Sequence, residues 1–371
     1  MTASEIMSRT LAGRPEGMEK PSAAACAKAW WRACRPPFLI TAAIPVALAM
    51  AFVYRMNGGL TAAMWLRFGV LLFGCFLGLT IANFANDLFD HVLGVDDQED
   101  SIGGTGVIQA GLITCRQFFF AILFLCAATL AIGVGLIVTL PGALKPVLLF
   151  LAVFAVASAV FYVAPPIRYG HRGLGEVMVG INLGLIVVSA SATIIAQSFD
   201  IRSLAVALPV VGMVAGILYY QSLPEIDTDK AGGKTTLANI LGKDHALLVF
   251  RIWWPVVWVS IINLWLSGLA GWPVLFCLVG LPLYWKAQKL IAARGDGDWL
   301  ELDKYGYLVP LLSHERHFLH CGCCPVGNLP LRKKKENPEG LSFFYVPWAP
   351  FFRLKVLAQQ QYFLPGQGSD A

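Results

Sequence analysis

Long apolar stretches separated by short polar loops dominate the first 290 residues of the chain. A bilayer core of about 30 Å is crossed by about 20 residues of α-helix. Eight stretches are apolar over close to that length, and they lie near residues 37–54, 66–88, 118–140, 146–164, 174–197, 204–222, 248–267 and 272–290. The pattern therefore predicts an all-α, polytopic transmembrane bundle.

The composition of the chain supports this prediction. Hydrophobic residues make up 57% of the chain, charged residues only 14%, and the mean hydropathy is +0.65. Soluble proteins carry about 25% charged residues, so an ordinary soluble domain is excluded. The formal net charge of +5 is small and dispersed along the chain, which favours a lipid bilayer over nucleic acid as the surroundings of this protein.

Lysine and arginine are frequent in the leader, residues 1–36, and in the loops after the even-numbered spans. The opposite loops hold only Arg55, Arg67, Lys145 and Arg202. By the positive-inside rule the N-terminus and the polar loops are expected in the cytoplasm, with the bundle in a bacterial inner membrane. The first span starts too late, and without a cleavage pattern, to be a removed signal peptide.

The end of the chain differs from the rest. We expect residues 37–305 to form the transmembrane domain and residues 306–371 to form an atypical, poorly ordered tail. A short apolar run at 307–312 is cut off by charged and histidine residues, so no ninth span of full length is visible.

Acidic and amide residues cluster at the cytoplasmic end of the second span. Asn83, Asn86, Asp87 and Asp90 are separated by three, one and three positions, which places them on one face of a helix. Carboxylates are costly at this depth and need cations nearby. Carboxylate and amide oxygens are ligands that suit Mg²⁺, which takes further ligands from water and phosphate. The cluster therefore predicts a Mg²⁺ and phosphate site.

A second acidic cluster follows the sixth span. Glu225 and Asp229 are four positions apart, as are Lys230 and Lys234, and the glycine pair at 232–233 allows the backbone to approach an anion closely. Both acidic clusters follow even-numbered spans and lie four spans apart, which is typical of an internal repeat whose halves face one cavity. Two such clusters suit Mg²⁺ ions on either side of a diphosphate.

The motifs in residues 28–305 occur in a characteristic order. They are Asn86-Asp87-Leu88-Phe89-Asp90 with Gly94-Val95-Asp96, Gly103-Gly104, Gly111-Leu112-Ile113, Tyr162-Val163-Ala164-Pro165-Pro166, Arg172-Gly173-Leu174-Gly175-Glu176, and Asp229-Lys230 with Gly233-Lys234 and Thr236-Leu237. In this order they resemble the UbiA superfamily of intramembrane prenyltransferases. The spacing most resembles the branch that prenylates 1,4-dihydroxy-2-naphthoate on the way to menaquinone.

The resemblance implies a fold and a reaction. The fold is a bundle of nine helices around a central cavity, of which eight are clear here and the ninth is degraded. The reaction is Mg²⁺-dependent transfer of a polyprenyl chain from polyprenyl diphosphate to an aromatic acceptor. With 1,4-dihydroxy-2-naphthoate it gives demethylmenaquinone, with loss of diphosphate and CO₂.

The resemblance also implies roles for individual residues. Asn86, Asp87, Asp90 and Asp96 would form the first metal and diphosphate site, Glu225 and Asp229 the second, Lys230 and Lys234 would contact diphosphate, and Arg172 and Glu176 would border the acceptor. Asp87, Asp90, Asp229 and Lys234 are the expected catalytic residues. Glu225 stands where aspartate is usual, and the lead-in at 221–224 departs from the better-known menaquinone enzymes.

Other interpretations remain at this stage. The acceptor could be of the 4-hydroxybenzoate or homogentisate type. In a different class, a cation-coupled transporter also places acids within a membrane bundle, although near its midplane. A non-catalytic scaffold that keeps the fold is a third. His91 and His171 are possible acid/base groups, but neither shows a partner in the sequence and neither is favoured.

Overall fold

The computed structural model describes residues 1–14, 20–95, 104–223, 226–231, 233–282 and 284–285. Within these ranges, seven helices are long and apolar enough to cross a membrane. They confirm the predicted all-α transmembrane bundle.

Two short helices precede the spans, and two further segments flank the seventh span. The leader contains α1 (Ala3–Thr10) and α2 (Ala23–Ala33). Six of the spans are single helices: α3 (Leu39–Asn57), α4 (Ala62–Val92), α5 (Cys115–Ile137), α6 (Lys145–Phe161), α9 (Arg202–Ser222) and α11 (Leu237–Leu266). The fifth span has three parts, in which α7 (Gly175–Val179) continues through a π-helical segment (Gly180–Ile186) into α8 (Val187–Ala196). The short α10 (Ile226–Ala231) precedes α11, and a 3₁₀ helix (Trp272–Gly280) follows it.

Seven of the eight predicted spans coincide with these helices. The largest difference is at α11, which begins at Leu237 rather than near 248 because Thr236 caps its first turn. The helix continues across a kink at Gly242, whose φ of +73° is readily adopted only by glycine. The eighth predicted span begins with the 3₁₀ helix. Its later part, the missing ninth span and the tail at 306–371 lie outside the described residues.

The two halves of the bundle repeat one packing relation. The second span, α4, packs chiefly against the third, α5. The sixth, α9, likewise packs against the seventh, α11, although its packing against the fifth span is more extensive. The later helix of each pair starts with a capping box, built from Thr114 and Gln117 in α5 and from Thr236 and Asn239 in α11. Each box satisfies otherwise unpaired N–H groups where the polar loop re-enters the bundle, which agrees with the predicted internal repeat.

The leader is packed onto the end of α4 that carries the first acidic cluster. The Trp30 ring contacts the rings of Phe84 and Phe118, at centroid distances of 5.3 and 5.2 Å. The Arg9 Nη1 group donates to the carbonyl oxygen of Val92 over 3.3 Å. This packing holds the chain that follows α2 beside α4.

Candidate active site

The last turns of α4 carry the first acidic cluster as predicted, but its members have different neighbours. Asp87 is 3% exposed, and its Oδ1 lies 2.7 Å from the Nη2 of Arg35. The backbone N–H of Thr105 donates to the same oxygen over 3.1 Å, and the Thr105 hydroxyl donates to Oδ2. Both oxygens of this carboxylate are therefore engaged, and they join the leader to the loop that follows α4.

The leader is anchored here by two further features. The side-chain amide of Asn83 donates to the carbonyl oxygen of Cys34 over 3.1 Å. Arg35 itself has a left-handed backbone, with φ of +49°, which costs roughly 1–2 kcal/mol in a residue with a Cβ. The ion pair with the buried Asp87 helps to hold this conformation.

Asn86 and Asp90 lie on the same helix and keep oxygens that are not used by other protein groups. Among the described residues, no hydrogen-bond donor reaches the buried Oδ1 of Asn86. The Oδ1 of Asp90 lies 3.3 Å from the Nε2 of His171, outside good hydrogen-bond geometry. Buried polar oxygens normally have partners, so these two atoms have the character of ligand atoms.

The second acidic cluster is built by α10 and the turn after it. Asp229 is 8% exposed, and the Nζ of Lys234 lies 3.1 Å from its Oδ1. The backbone N–H of Lys234 donates to the carbonyl oxygen of Asp229 over 2.8 Å, through a turn in which Gly233 has a φ of +70°. The Oδ2 of Asp229 is buried without a hydrogen-bond partner in the described part of the chain, as in the first cluster.

The charges of both clusters contribute to the electrostatics of Asp229. Burial raises the pKa of Asp229 above its ordinary value, and the positive charge of Lys234 opposes this shift. The negative charge of Asp90 raises the same pKa further. Residues far apart in the sequence therefore bring two carboxylates and one lysine to a single site.

A loop at 162–174 joins the clusters physically. The backbone N–H of Thr235 donates to the carbonyl oxygen of His171 over 3.1 Å, and the N–H of Gly173 donates to the carbonyl oxygen of Thr235 over 2.8 Å. His171, in the same loop, contacts Asp90. Tyr162 begins this loop, where burial raises the pKa of its hydroxyl and the charge of Lys234 lowers it.

The two residues predicted to border the acceptor differ in exposure and in their partners. Glu176 is 2% exposed, and its Oε1 accepts from the N–H of Leu237 over 3.3 Å. Its carboxylate therefore lies at the N-termini of both α7 and α11, where helix dipoles stabilise negative charge. Arg172 is exposed, and its Nη2 donates to the carbonyl oxygen of Pro166 over 3.0 Å.

Three further residues were predicted to contact the metal or the diphosphate. Lys230 is an exposed residue of α10. Asp96 and Glu225, predicted as metal ligands, lie outside the described residues.

The oxygens present fit a Mg²⁺ site that a diphosphate completes. Across the described residues, no group of three or more His, Cys, Asp or Glu side chains has the arrangement of a metal site. Among the described residues of the two acidic clusters, the unpartnered oxygens are Asn86 Oδ1, Asp90 Oδ1 and Asp229 Oδ2, and amide and carboxylate oxygens are the ligands that Mg²⁺ takes. Because Mg²⁺ also takes waters and phosphate oxygens, few protein ligands on each side are sufficient.

Sequence reasoning missed Arg35, Thr105 and Arg168 as residues of this site, and it named His171 without its place in the site. Arg35 immediately precedes two prolines at the start of the first span. A cation at the membrane boundary could have been predicted as a partner for a buried carboxylate. His171 was considered only as an acid or base, whereas the structure places it beside Asp90. The partners of Thr105 and Arg168 depend on loop conformation, which leaves no signal in the sequence pattern.

Comparisons with known proteins agree with this architecture. The model of the UbiA prenyltransferase family matches residues 42–302. A 1,4-dihydroxy-2-naphthoate octaprenyltransferase of Haemophilus influenzae is 30% identical over 224 residues, which cover 58% of this chain and 70% of the relative. An enzyme of the same name from Bacillus subtilis is 25% identical over 263 residues, covering 70% of this chain and 81% of the relative.

Solved structures share the fold. A UbiA homolog from Archaeoglobus fulgidus bound to DMAPP and Mg²⁺ has a TM-score of 0.53 at 14% sequence identity, covering 79% of this chain and 99% of its own. The apo structure of a UbiA homolog from Aeropyrum pernix K1 also has a TM-score of 0.53, at 16% sequence identity. The match covers 75% of this chain and 97% of the homolog. These likenesses confirm the predicted helical bundle.

Proposed function

The chain belongs to the UbiA prenyltransferase family, and from this premise we propose that it transfers a polyprenyl chain from polyprenyl diphosphate to 1,4-dihydroxy-2-naphthoate. Membership makes it a prenyltransferase embedded in a membrane, and the names of its relatives support transfer to an aromatic acceptor. The naphthoate acceptor follows from those names and from the order of the motifs. The proposed product is demethylmenaquinol, the hydroquinone form of demethylmenaquinone, formed with loss of diphosphate and CO₂.

One observation carries the proposal. Asp90 of α4 and Asp229 of α10, which belong to different halves of the repeat, are joined through one loop: His171 lies beside Asp90, its carbonyl oxygen accepts from the N–H of Thr235, and the adjacent Lys234 pairs with Asp229. A site with carboxylates from two elements and a lysine beside one of them suits a diphosphate held through Mg²⁺. The acids lie at helix ends rather than mid-span, which favours this function over a cation-coupled transporter.

The proposed ligand set combines both acidic clusters. Asn86, Asp90 and Asp229 would hold Mg²⁺ through their unpartnered oxygens, together with Asp96 and Glu225 as the motifs imply. Asp87, which the motifs also imply as a ligand, has both oxygens engaged by Arg35 and Thr105 and would support the site by holding the leader. When bound, Mg²⁺ would neutralise the charge that develops on the leaving diphosphate as the allylic C–O bond breaks.

The remaining residues have roles in binding and orientation. Lys234, kept beside Asp229, and Lys230, exposed on α10, would contact diphosphate oxygens. The exposed Arg172 would bind the carboxylate of the acceptor. Glu176 would support the acceptor side of the site by accepting from the N–H of Leu237 at the start of α11. The apolar bundle would hold the prenyl tail and exclude water from the allylic cation.

Attack by the ring carbon that bears the carboxyl group would account for the loss of CO₂. The prenyl group forms its new bond to that carbon, and the C–C bond to the carboxylate then breaks, returning its electron pair to the ring. The diphosphate leaves with the electron pair of the allylic C–O bond. No oxidant or reductant is required.

The location of the site supports an orientation. Both acidic clusters lie on the side of the bundle that carries most of the Lys and Arg residues, so the active site would face the cytoplasm. The family match at 42–302 supports a transmembrane domain over residues 37–305, in a bacterial inner membrane.

A direct assay tests the proposal. Membranes containing the protein are incubated with Mg²⁺, a labelled polyprenyl diphosphate and either 1,4-dihydroxy-2-naphthoate, 4-hydroxybenzoate or homogentisate. We expect product with the naphthoate alone, with one CO₂ released for each prenyl group transferred. Product with another acceptor would overturn the acceptor assignment, and no product from folded protein would favour the non-catalytic scaffold.

A further inference from the structure

His171 lies between the two acidic clusters and is almost completely buried. Its side chain is 3% exposed, with Nε2 3.3 Å from the Oδ1 of Asp90. On the other side of the ring, Nδ1 lies 2.8 Å from the Nη2 of Arg168. A solvated loop histidine would have neither the burial nor two charged neighbours, so this imidazole has a defined place in the site.

The partners of the ring determine where its hydrogen lies. A guanidinium group has only hydrogen-bond donors, so Nδ1 must accept from Arg168. In a neutral imidazole the other nitrogen then carries the hydrogen, and that nitrogen is the one facing Asp90. With Nδ1 occupied and Nε2 protonated, the ring keeps no free acceptor for a substrate proton, which argues against the general-base role.

The backbone of His171 is fixed as firmly as its ring. Its N–H donates to the carbonyl oxygen of Arg168 over 2.9 Å, and its carbonyl oxygen accepts from Thr235 over 3.1 Å. Thr235 directly follows Lys234, the partner of Asp229. His171 thus contacts the first cluster through its side chain, and through its backbone it contacts the residue that follows Lys234 of the second cluster.

We propose that His171 is a positioning residue. Its Nε2 lies 3.3 Å from the Oδ1 of Asp90, short of hydrogen-bond geometry in this structure, and its N–H would donate to the Asp90 carboxylate when that group binds the metal and diphosphate, which would keep the two acidic clusters in register. The proposal rests on the proposed function, because it concerns the same site. Hydrogen bonds to the groups that ligate a metal fix the ligand orientation, and their loss typically weakens metal binding roughly 10- to 100-fold.

Two substitutions of His171 separate positioning from general structural support. In His171→Gln, a longer amide places an N–H near the position of Nε2 and preserves the contact with Asp90. In His171→Asn, the shorter amide reaches only the position of Nδ1, so it keeps the contact with Arg168 but cannot reach Asp90. His245→Asn, at an exposed position of α11, is the matched control.

The readout is binding rather than turnover. The full chain, purified in detergent micelles, is titrated with Mg²⁺ in the presence of inorganic pyrophosphate by calorimetry, and the ligand-induced rise in apparent Tm is recorded in parallel. We expect His171→Asn to weaken Mg²⁺–pyrophosphate binding roughly 10- to 100-fold. His171→Gln is expected to stay within about threefold of wild type, and His245→Asn to be unchanged.

Asp90→Asn and the double variant Asp90→Asn/His171→Asn complete the test. If His171 acts through Asp90, the double variant binds no more weakly than Asp90→Asn alone, because residues that act as a unit are not additive. Full affinity in His171→Asn, equal losses in the Asn and Gln variants, or additive losses in the double variant would each overturn the role of His171. Full affinity in Asp90→Asn would overturn the metal assignment of the proposed function, and the role of His171 with it.

Discussion

The two acidic clusters occupy equivalent places in the repeat, yet their buried carboxylates are stabilised in different ways. Asp87 is engaged at both oxygens, by Arg35 and by the backbone and hydroxyl of Thr105. Asp229 has an ion pair with Lys234 at one oxygen, while the other is buried without a partner within the described residues. The pKa of Asp229 is consequently raised by burial.

The carboxylates of the two acidic clusters therefore have different roles, although their motifs are similar. A carboxylate whose oxygens are all engaged connects parts of the chain, and in Asp87 these are the leader and the loop after α4. A carboxylate with an unpartnered oxygen remains able to bind a cation, as in Asp229 and Asp90. Substitutions of Asp87, Asp90, Thr105 and Asp229 test this division.

Asp87→Ala is expected to reduce stability most. It leaves the guanidinium of Arg35 facing a buried site with no carboxylate, and breaking a buried pair by removing one partner costs about 3–5 kcal/mol. The apparent Tm in detergent should fall well below that of the wild type. An unchanged Tm would show that the contacts of Asp87 do not hold the leader.

Asp90→Asn is expected to reduce activity while leaving stability nearly unchanged. Removing one group that stabilises the charge of the departing diphosphate typically lowers kcat roughly 100- to 1,000-fold. The measurement is Mg²⁺-dependent prenyl transfer, together with the apparent Tm of the same preparation. Asp244→Asn, at an exposed position of α11, is the control; activity in Asp90→Asn equal to this control would contradict the division.

Thr105→Val should weaken the attachment of the loop after α4 by a smaller amount. The substitution removes the hydroxyl that donates to Asp87 but keeps the backbone N–H. A hydrogen bond to a charged group contributes about 1.5–3 kcal/mol, so the apparent Tm should fall by less than in Asp87→Ala. Thr105→Ser should restore it, and equal stability of the Val and Ser variants would count against this contact.

Asp229→Asn should change stability least, and it should raise the apparent Tm where Asp87→Ala and Thr105→Val lower it. Because the folded-state pKa of Asp229 is raised, this group contributes stability when protonated and loses that contribution as the pH rises through the raised pKa. In metal-free protein at neutral pH the Asn variant should therefore have a slightly higher apparent Tm than wild type. The difference should shrink as the pH falls toward about 4, the ordinary range of a carboxyl group.

The matched control for Asp229→Asn is Asp227→Asn, at a side chain that is 73% exposed and paired with Lys243. Exposed ion pairs contribute about 0–1 kcal/mol, so this variant should change little at any pH. A clear loss of stability in Asp229→Asn at neutral pH would show that its pair with Lys234 outweighs the cost of burial.

Much of the architecture could be predicted from the sequence because the relevant signals are local. Seven spans were located from hydropathy, and the boundaries of α11 were the least accurate. The start of that helix depends on Thr236 and its continuation on Gly242, and neither changes the average hydropathy. The acidic clusters were likewise visible, because spacing along a helix places Asn86, Asp87 and Asp90 together without reference to the rest of the chain.

The membrane class, the helical bundle, the family and the composition of the two acidic clusters can all be read from the amino-acid sequence. Tertiary structure alone decided which carboxylate is paired and which oxygen remains unpartnered. Arg35 reaches Asp87 across 52 positions of the chain, and the loop with His171 meets both clusters only after the two halves have packed. Burial and pairing depend on distances between distant segments, whereas hydropathy and helical spacing are properties of one segment.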